Sequence, residues 1–124
     1  MLIINCKSDA TNKDAMVGTW QVTNYDAQLK GIPDNVLESA RKKTMTTSYT
    51  FNADNTFTLK SVDVPGNNGK WAHTPASKVL ELNYVANDRP TKVIYTVDEI
   101  NTRSMKWIQN MNEMGMIFIT LEKK

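Results

Sequence analysis

The 124-residue chain reads as an all-β protein, an eight-stranded antiparallel up-and-down barrel with one short helix between strands 1 and 2. Three observations predict this. From residue 16 onward, short runs of β-like residues are separated by turn formers at the spacing of a barrel or sandwich. Only one segment between consecutive runs is long enough for a helix, which excludes a parallel βαβ plan. The last run is apolar on both faces, so it needs cover, and pairing with the first strand in a closed meander removes both sheet edges.

Strand 1 is predicted over 16–25, with Gly18, Trp20 and Val22 on one face and Thr19, Gln21 and Thr23 on the other. Pro33 and Asp34 open the helix, predicted over 32–44, and Asn35 with Glu38 has the spacing of a capping box. Val36, Leu37 and Ala40 fall on one helical face. So short a helix needs something to lie on, which suits a lid across one end of a barrel. Strand 2 (45–52, with Met45, Thr47, Tyr49 and Phe51 in phase) and strand 3 (56–63) make a hairpin around Asn52-Ala53-Asp54-Asn55. The stretch Pro65-Gly66-Asn67-Asn68-Gly69 is the strongest breaker. Strands then follow over 70–73, 78–84 and 91–97, the last two joined at Asp88-Arg89-Pro90. Runs over 102–109 and 114–122 close the chain through Asn110-Met111-Asn112-Glu113. In the final run Met114, Met116 and Phe118 share one face, and Ile117, Ile119 and Leu121 the other.

Composition narrows the function. A net charge of +2 is far from the concentrated basic face that phosphate neutralisation needs, so no nucleic-acid partner is expected. The one basic cluster, Arg41-Lys42-Lys43, decorates the helix C-terminus, where cations meet the negative end of the dipole. His73 is the single histidine and Cys6 the single cysteine, which leaves no internal disulfide and little to build a catalytic triad from. Asp98-Glu99 reads as a solvated pair in a turn. No phosphate-cradling glycine loop and no zinc spacing occurs. The chain is therefore expected not to be an enzyme, with no catalytic residue, metal site or cofactor. Met105, Met111, Met114 and Met116 crowd the C-terminal hairpin, and with His73 they suggest copper binding as a minor alternative.

No run of about 20 apolar residues is present to span a membrane. Met1-Leu2-Ile3-Ile4-Asn5-Cys6, followed by a polar stretch to Asp14, resembles the end of a bacterial lipoprotein signal. On that reading residues 1–15 are a signal remnant and flexible tether, and residues 16–124 are the barrel domain. Lipidation of Cys6 then gives a periplasm-facing lipoprotein of the cell envelope, on the outer membrane, touching membrane through that anchor only. A monomer is expected.

Two tripeptides open strands, Gly18-Thr19-Trp20 and Gly69-Lys70-Trp71. The first resembles the Gly-x-Trp signature on strand 1 of the lipocalin superfamily. Residues 16–122 resemble the short lipocalin-like lipoproteins of Gram-negative bacteria, especially Bacteroidetes. The shared order is a tryptophan strand, a helix, a hairpin (here Tyr49-Thr50-Phe51 to Asn55-Thr56-Phe57) and a second Gly-x-Trp strand. The resemblance implies that Trp20 plugs the barrel floor and that a cation from a late strand, here Arg103, stacks on its indole for about 1 kcal/mol. The chain is shorter than classical lipocalins. Its helix falls between the first two strands, as in the ten-stranded fatty-acid-binding proteins. With Trp20 inward, the alternation nominates Trp20, Val22, Tyr49, Phe51, Phe57, Leu59, Trp71, Leu80, Leu82, Tyr95, Arg103, Met105, Trp107, Met116 and Phe118 as barrel lining. The implied function is binding or transport of a small hydrophobic ligand, whose polar end the tyrosines and Arg103 would orient. The alternative is a protein-interaction or inhibitor module with a filled barrel.

Overall fold

The structure, a computed structural model, describes residues 15–62 and 66–124. Cys6, the tether up to residue 14 and Pro65 lie outside the described residues. The order is β1 (Gly18–Leu29), α1 (Asp34–Met45), β2 (Ser48–Phe51), β3 (Thr56–Lys60), β4 (Asn67–Thr74), β5 (Val79–Ala86), β6 (Arg89–Ile100), β7 (Ser104–Asn110) and β8 (Gly115–Lys123). Every strand pairs antiparallel with the next, and β8 returns to pair with β1, closing the barrel. The predicted meander and its inserted helix are present.

Several boundaries differ from the sequence reading, each for a local reason. Asn67, Asn68 and Gly69, read as a breaker, belong to β4 and pair with Leu59, Thr58 and Phe57. The β5–β6 turn is Asn87-Asp88, both at positive φ (52° and 63°), as a two-residue hairpin turn of the mirror-image kind requires. Arg89 and Pro90 lie beyond it in β6, where Pro90 is exposed. The capping box does not form. Pro33 takes the N-cap position with extended backbone, which places Asn35 inside the first turn with no side-chain cap bond. Asp34 at the start of α1 and Lys42 and Lys43 at its end still match the helix dipole.

One bulge-like shift and one cross-strand register set which residues face inward. In β1 the register slips between Val22 and Asn24. Trp20 and Val22 point in before the slip, and Tyr25, Ala27 and Leu29 pack on the core after it. In β8, Ile119 lies opposite Trp107 and Leu121 opposite Met105. Directly opposed residues share a face, so Ile117, Ile119 and Leu121 enter the barrel. Met116 and Phe118, predicted as lining, take the outer face, where Met116 is 42% exposed. With both faces apolar, alternation alone had no basis for choosing between them.

The floor is built around Trp20, which is wholly buried, its indole N–H donating to the Met16 carbonyl at 2.9 Å. The cation over its ring is Lys123, with Nζ 5.4 Å from the centroid, and not Arg103. The seam makes Lys123 the direct cross-strand partner of Trp20. Arg103 sits exposed in the β6–β7 turn, where its backbone N–H donates to Asn101 Oδ1 at 2.9 Å and its carbonyl accepts the Lys123 N–H at 2.8 Å. Gly18 has two reasons to be glycine. Its φ is +135°, and a Cβ there would lie 2.5 Å from Lys123 Cε. The first position of Gly-x-Trp thus clears space for the cation that covers the third.

Replacing Gly18 by Ala is expected to destabilise the fold by about 1–3 kcal/mol, because both the backbone conformation and the lysine seat are lost. Lys123→Met keeps the aliphatic packing and loses only the cation–π term, about 0.5–1 kcal/mol. Urea midpoints of the two variants against wild type check the order. A Gly18→Ala protein unfolding at the wild-type midpoint contradicts this account of the motif.

Candidate functional site

The lower barrel is filled with rings. Trp107 lies 4.7 Å from Tyr95 and 5.0 Å from Tyr49, while Phe51 meets Trp71 at 5.4 Å and Phe57 at 6.0 Å, centroid to centroid. Indoles this deep need partners for their N–H groups. Trp71 donates to the Asn52 carbonyl at 3.1 Å, and Trp107 to the Met105 sulfur at 3.2 Å. Among the described residues no buried side-chain nitrogen or oxygen lacks a hydrogen-bond partner.

Of the predicted lining, Trp20, Val22, Tyr49, Phe51, Phe57, Trp71, Leu80, Leu82, Tyr95, Met105 and Trp107 are buried together in this core, and Leu59 packs against it half-buried. Met116, Phe118 and Arg103 are not brought to it. Sequence reasoning missed Val97, Ile117, Ile119 and Leu121, and at the barrel mouth Tyr25, Ala27, Leu29 and Tyr84. The one available signal for the mouth was the Tyr25-x-Ala27-x-Leu29 alternation, which runs out of phase with Trp20-x-Val22.

All four tyrosines of the chain pack on the interior core, from β1, β2, β5 and β6. Tyr49 and Tyr95 act on each other's titration, and Tyr84 acts on that of both. Tyr25 acts on Tyr95. Burial, reinforced by Tyr95, pushes the Tyr49 hydroxyl well above the ordinary value, and burial pushes Tyr95 up to about 12. Tyr84 stands edge-on to Phe57 at 6.0 Å and is only partly buried, as is Tyr25. The phenols therefore run from the sealed floor to the accessible mouth.

The wall at the mouth is incomplete beside β1. Strand β2 has four residues and pairs only with Gly18–Gln21, so one edge of β1 beyond Gln21 has no strand partner. Helix α1 lies along that edge and buries none of its residues fully. Its C-terminal end is tied down by Gln21, whose side-chain amide donates to the carbonyls of Met45 and Thr47, each at 3.0 Å. Such carbonyls have no partner within the helix, so the contact satisfies them. Between α1 and β1 runs a cleft of about 350 Å³, lined by Tyr25, Asp26 and Ala27 on the strand and Asp34, Leu37, Glu38 and Arg41 on the helix. Glu38 and Arg41 pair at 3.3 Å in solvent, a contact that contributes little.

The methionines and His73 are spread between the two ends of the barrel. Met105 is inside near the floor, Met114 and Met116 are exposed, and Met111 packs half-buried at the mouth. His73 lies on β4 opposite Leu80, toward the floor, and burial lowers its pKa. Among the described residues no group of three or more His, Cys, Asp or Glu side chains could hold a metal ion.

No protein-family model matches the chain, and no curated protein matches it. Crystal structures do. A lipocalin-like protein from Bacteroides uniformis superposes with a TM-score of 0.58 at 12% identity, covering 89% of this chain and 99% of that one. A DUF4847 family protein from Bacteroides vulgatus gives 0.59 at 14% identity, covering 92% and 97%. At such identities the likeness speaks to fold, and it spans nearly all of both chains. The chain is thus a lipocalin-like β-barrel of the kind these Bacteroides proteins have.

Proposed function

We propose that the chain binds a small, mainly apolar, uncharged molecule in the mouth of the barrel, beneath α1, as a carrier and not a catalyst. The observation that carries this reading is the split along the inner wall. Floor residues are sealed by packed rings, whereas Tyr25, Ala27, Leu29 and Tyr84 remain partly exposed around the mouth. A shallow apolar cup with a few convergent hydroxyls has the make-up of a small-ligand site. Among the described residues the buried side chains include no charged group, so an ionic ligand would be stripped of water with no counter-charge to meet it. Protonated phenols suit a carbonyl, ether or hydroxyl end.

The cleft between α1 and the unpaired edge of β1 is the proposed entrance. A ligand burying about 300 Å² of apolar surface gains about 7.5 kcal/mol before immobilisation costs. That limits so shallow a cup to micromolar binding or weaker. On the same reading Cys6, outside the described residues, carries the lipid that holds the barrel at the periplasmic face of the envelope. Palmitate labelling of the gene product, lost on Cys6→Ser, tests the anchor.

The cup itself is tested with N-phenyl-1-naphthylamine, a neutral fluorescent probe. Saturable binding is expected, weakened about tenfold or more by Ala27→Phe, which fills the mouth, with unfolding still cooperative. Absence of saturable binding, or equal affinity for the variant, overturns the reading.

The phenols also set an alkaline limit. A hydroxyl whose pKa is raised by folding stabilises the native state fully below its ordinary value of 10.0, and that contribution is lost as pH rises through the folded value, about 12 for Tyr95. The Tyr95 shift corresponds to about 3 kcal/mol. Stability is expected to fall between about pH 10 and pH 12, and less steeply in Tyr95→Phe. Urea midpoints across that range measure both slopes.

A further inference from the structure

The outer wall of the barrel carries a second concavity, which backs onto the mouth at Tyr84, opens on the opposite face of the sheet and is independent of the reading above. It is a groove of about 460 Å³ across β4, β5 and β6. Cross-strand register explains its lining. Lys70 pairs with Asn83 and Asn83 with Lys92, so these three side chains stand in one row on the outer face. One step toward the mouth, Val85 pairs with Pro90, and both are exposed, Val85 at 54%. Between the rows the floor is the backbone of Gly69, Tyr84 and Thr91. A Cβ on Gly69 would collide with the Asn83 carbonyl and crowd Phe57 and Tyr84. The wall is drawn in where the second Gly-x-Trp begins, and the outer surface is hollow there.

The chemistry of this groove is opposite to that of the cup. Two lysines flank it and no acidic residue lines it. Lys92 shares Glu81 at 3.0 Å from outside the groove, and Lys70 makes no ion pair among the described residues. Val85, Pro90 and the lysine stems offer an apolar bed, and the Asn83 amide between the cations can donate to an oxyanion. We propose that this groove is a binding site for a free amphiphilic anion, a compact apolar body carrying one carboxylate or sulfonate, with the anionic end seated between Lys70 and Lys92. Charge complementarity selects the anion, and the narrow apolar bed selects a small body over an extended chain.

The probe is 1-anilinonaphthalene-8-sulfonate, titrated against the whole chain and followed by backbone amide shifts in NMR. The expected result is saturable binding with the largest shifts at Lys70, Asn83, Val85 and Lys92. Each lysine adds an exposed ion pair, so Lys70→Gln with Lys92→Gln weakens binding about fivefold, and raised salt removes that difference. Val85→Asp abolishes the groove shifts, while Ala27→Phe in the mouth leaves them unchanged. All four positions are exposed or half-buried, and unchanged unfolding midpoints confirm folded variants. The proposal is overturned if the shifts gather at the mouth, or if the double lysine variant binds like wild type. It is equally overturned if the chain ignores the free probe and instead binds vesicles of anionic phospholipid, which would make the groove a membrane contact.

Discussion

Closing this barrel requires β1 to run beside β8 from Trp20 to Leu29, while β2 accompanies β1 only from Gly18 to Gln21. The seam removes the two edges that an open eight-stranded meander would expose. It also fixes the floor, since the pairing brings Lys123 to Trp20. At its far end it demands Gly115, whose φ is +127° and whose missing Cβ would collide with the Gln28 carbonyl. The same geometry leaves the upper half of β1 with one partner instead of two. An unpaired row of backbone groups must be covered or solvated, and α1 occupies that flank. The position of the helix, and so of the cleft beneath it, follows from how the barrel closes.

The floor supplies most of what holds the closed form. Truncating one fully buried aromatic costs about 3–5 kcal/mol, against a total of about 5–15 kcal/mol for an ordinary domain. Trp20, Phe51, Phe57 and Trp107 are each almost wholly buried. A small domain with so few long core layers depends on such rings, because its surface-to-volume ratio is unfavourable. Helix α1 adds little by comparison, since none of its side chains is fully buried. The fully buried rings are therefore concentrated at one end, and the residues around the other are only partly buried.

How much of this was legible depended on whether a strand offered one apolar face or two. Tyr49 with Phe51, Leu80 with Leu82, and Met105 with Trp107 each alternate against polar neighbours, and each read correctly as interior. In β8 Met116 and Phe118 compete with Ile117, Ile119 and Leu121, and only the register against β7 decides. The slip between Val22 and Asn24 shows in the sequence only as the change of phase from Trp20-x-Val22 to Tyr25-x-Ala27-x-Leu29, and strand 1 read as ending at Tyr25 does not reach it. Arg103 and Lys123 are both cations near strand ends. What separates them is the β1–β8 pairing, a contact between the two ends of the chain. Asn35 and Glu38 have capping spacing, yet Pro33 already held the cap. In each case a long-range or neighbouring constraint outranked the local signal.

The tyrosines show why the candidate site was less legible than the core. Tyr25, Tyr49, Tyr84 and Tyr95 lie on four strands with no common motif, and only closure brings them together. A phenol can end a stack of rings in a way that phenylalanine cannot. Its body continues the apolar packing, and its hydroxyl gives that packing a polar boundary that must find a partner. Tyr49 and Tyr95 are buried in the barrel, whereas Tyr84 and Tyr25 stand where solvent begins. The tyrosines mark the height at which fully buried packing gives way to partly exposed wall. The cleft beside α1 is lined by Tyr25 together with Asp26, Asp34, Glu38 and Arg41, so polar groups and not bare rings stand on that flank of the barrel.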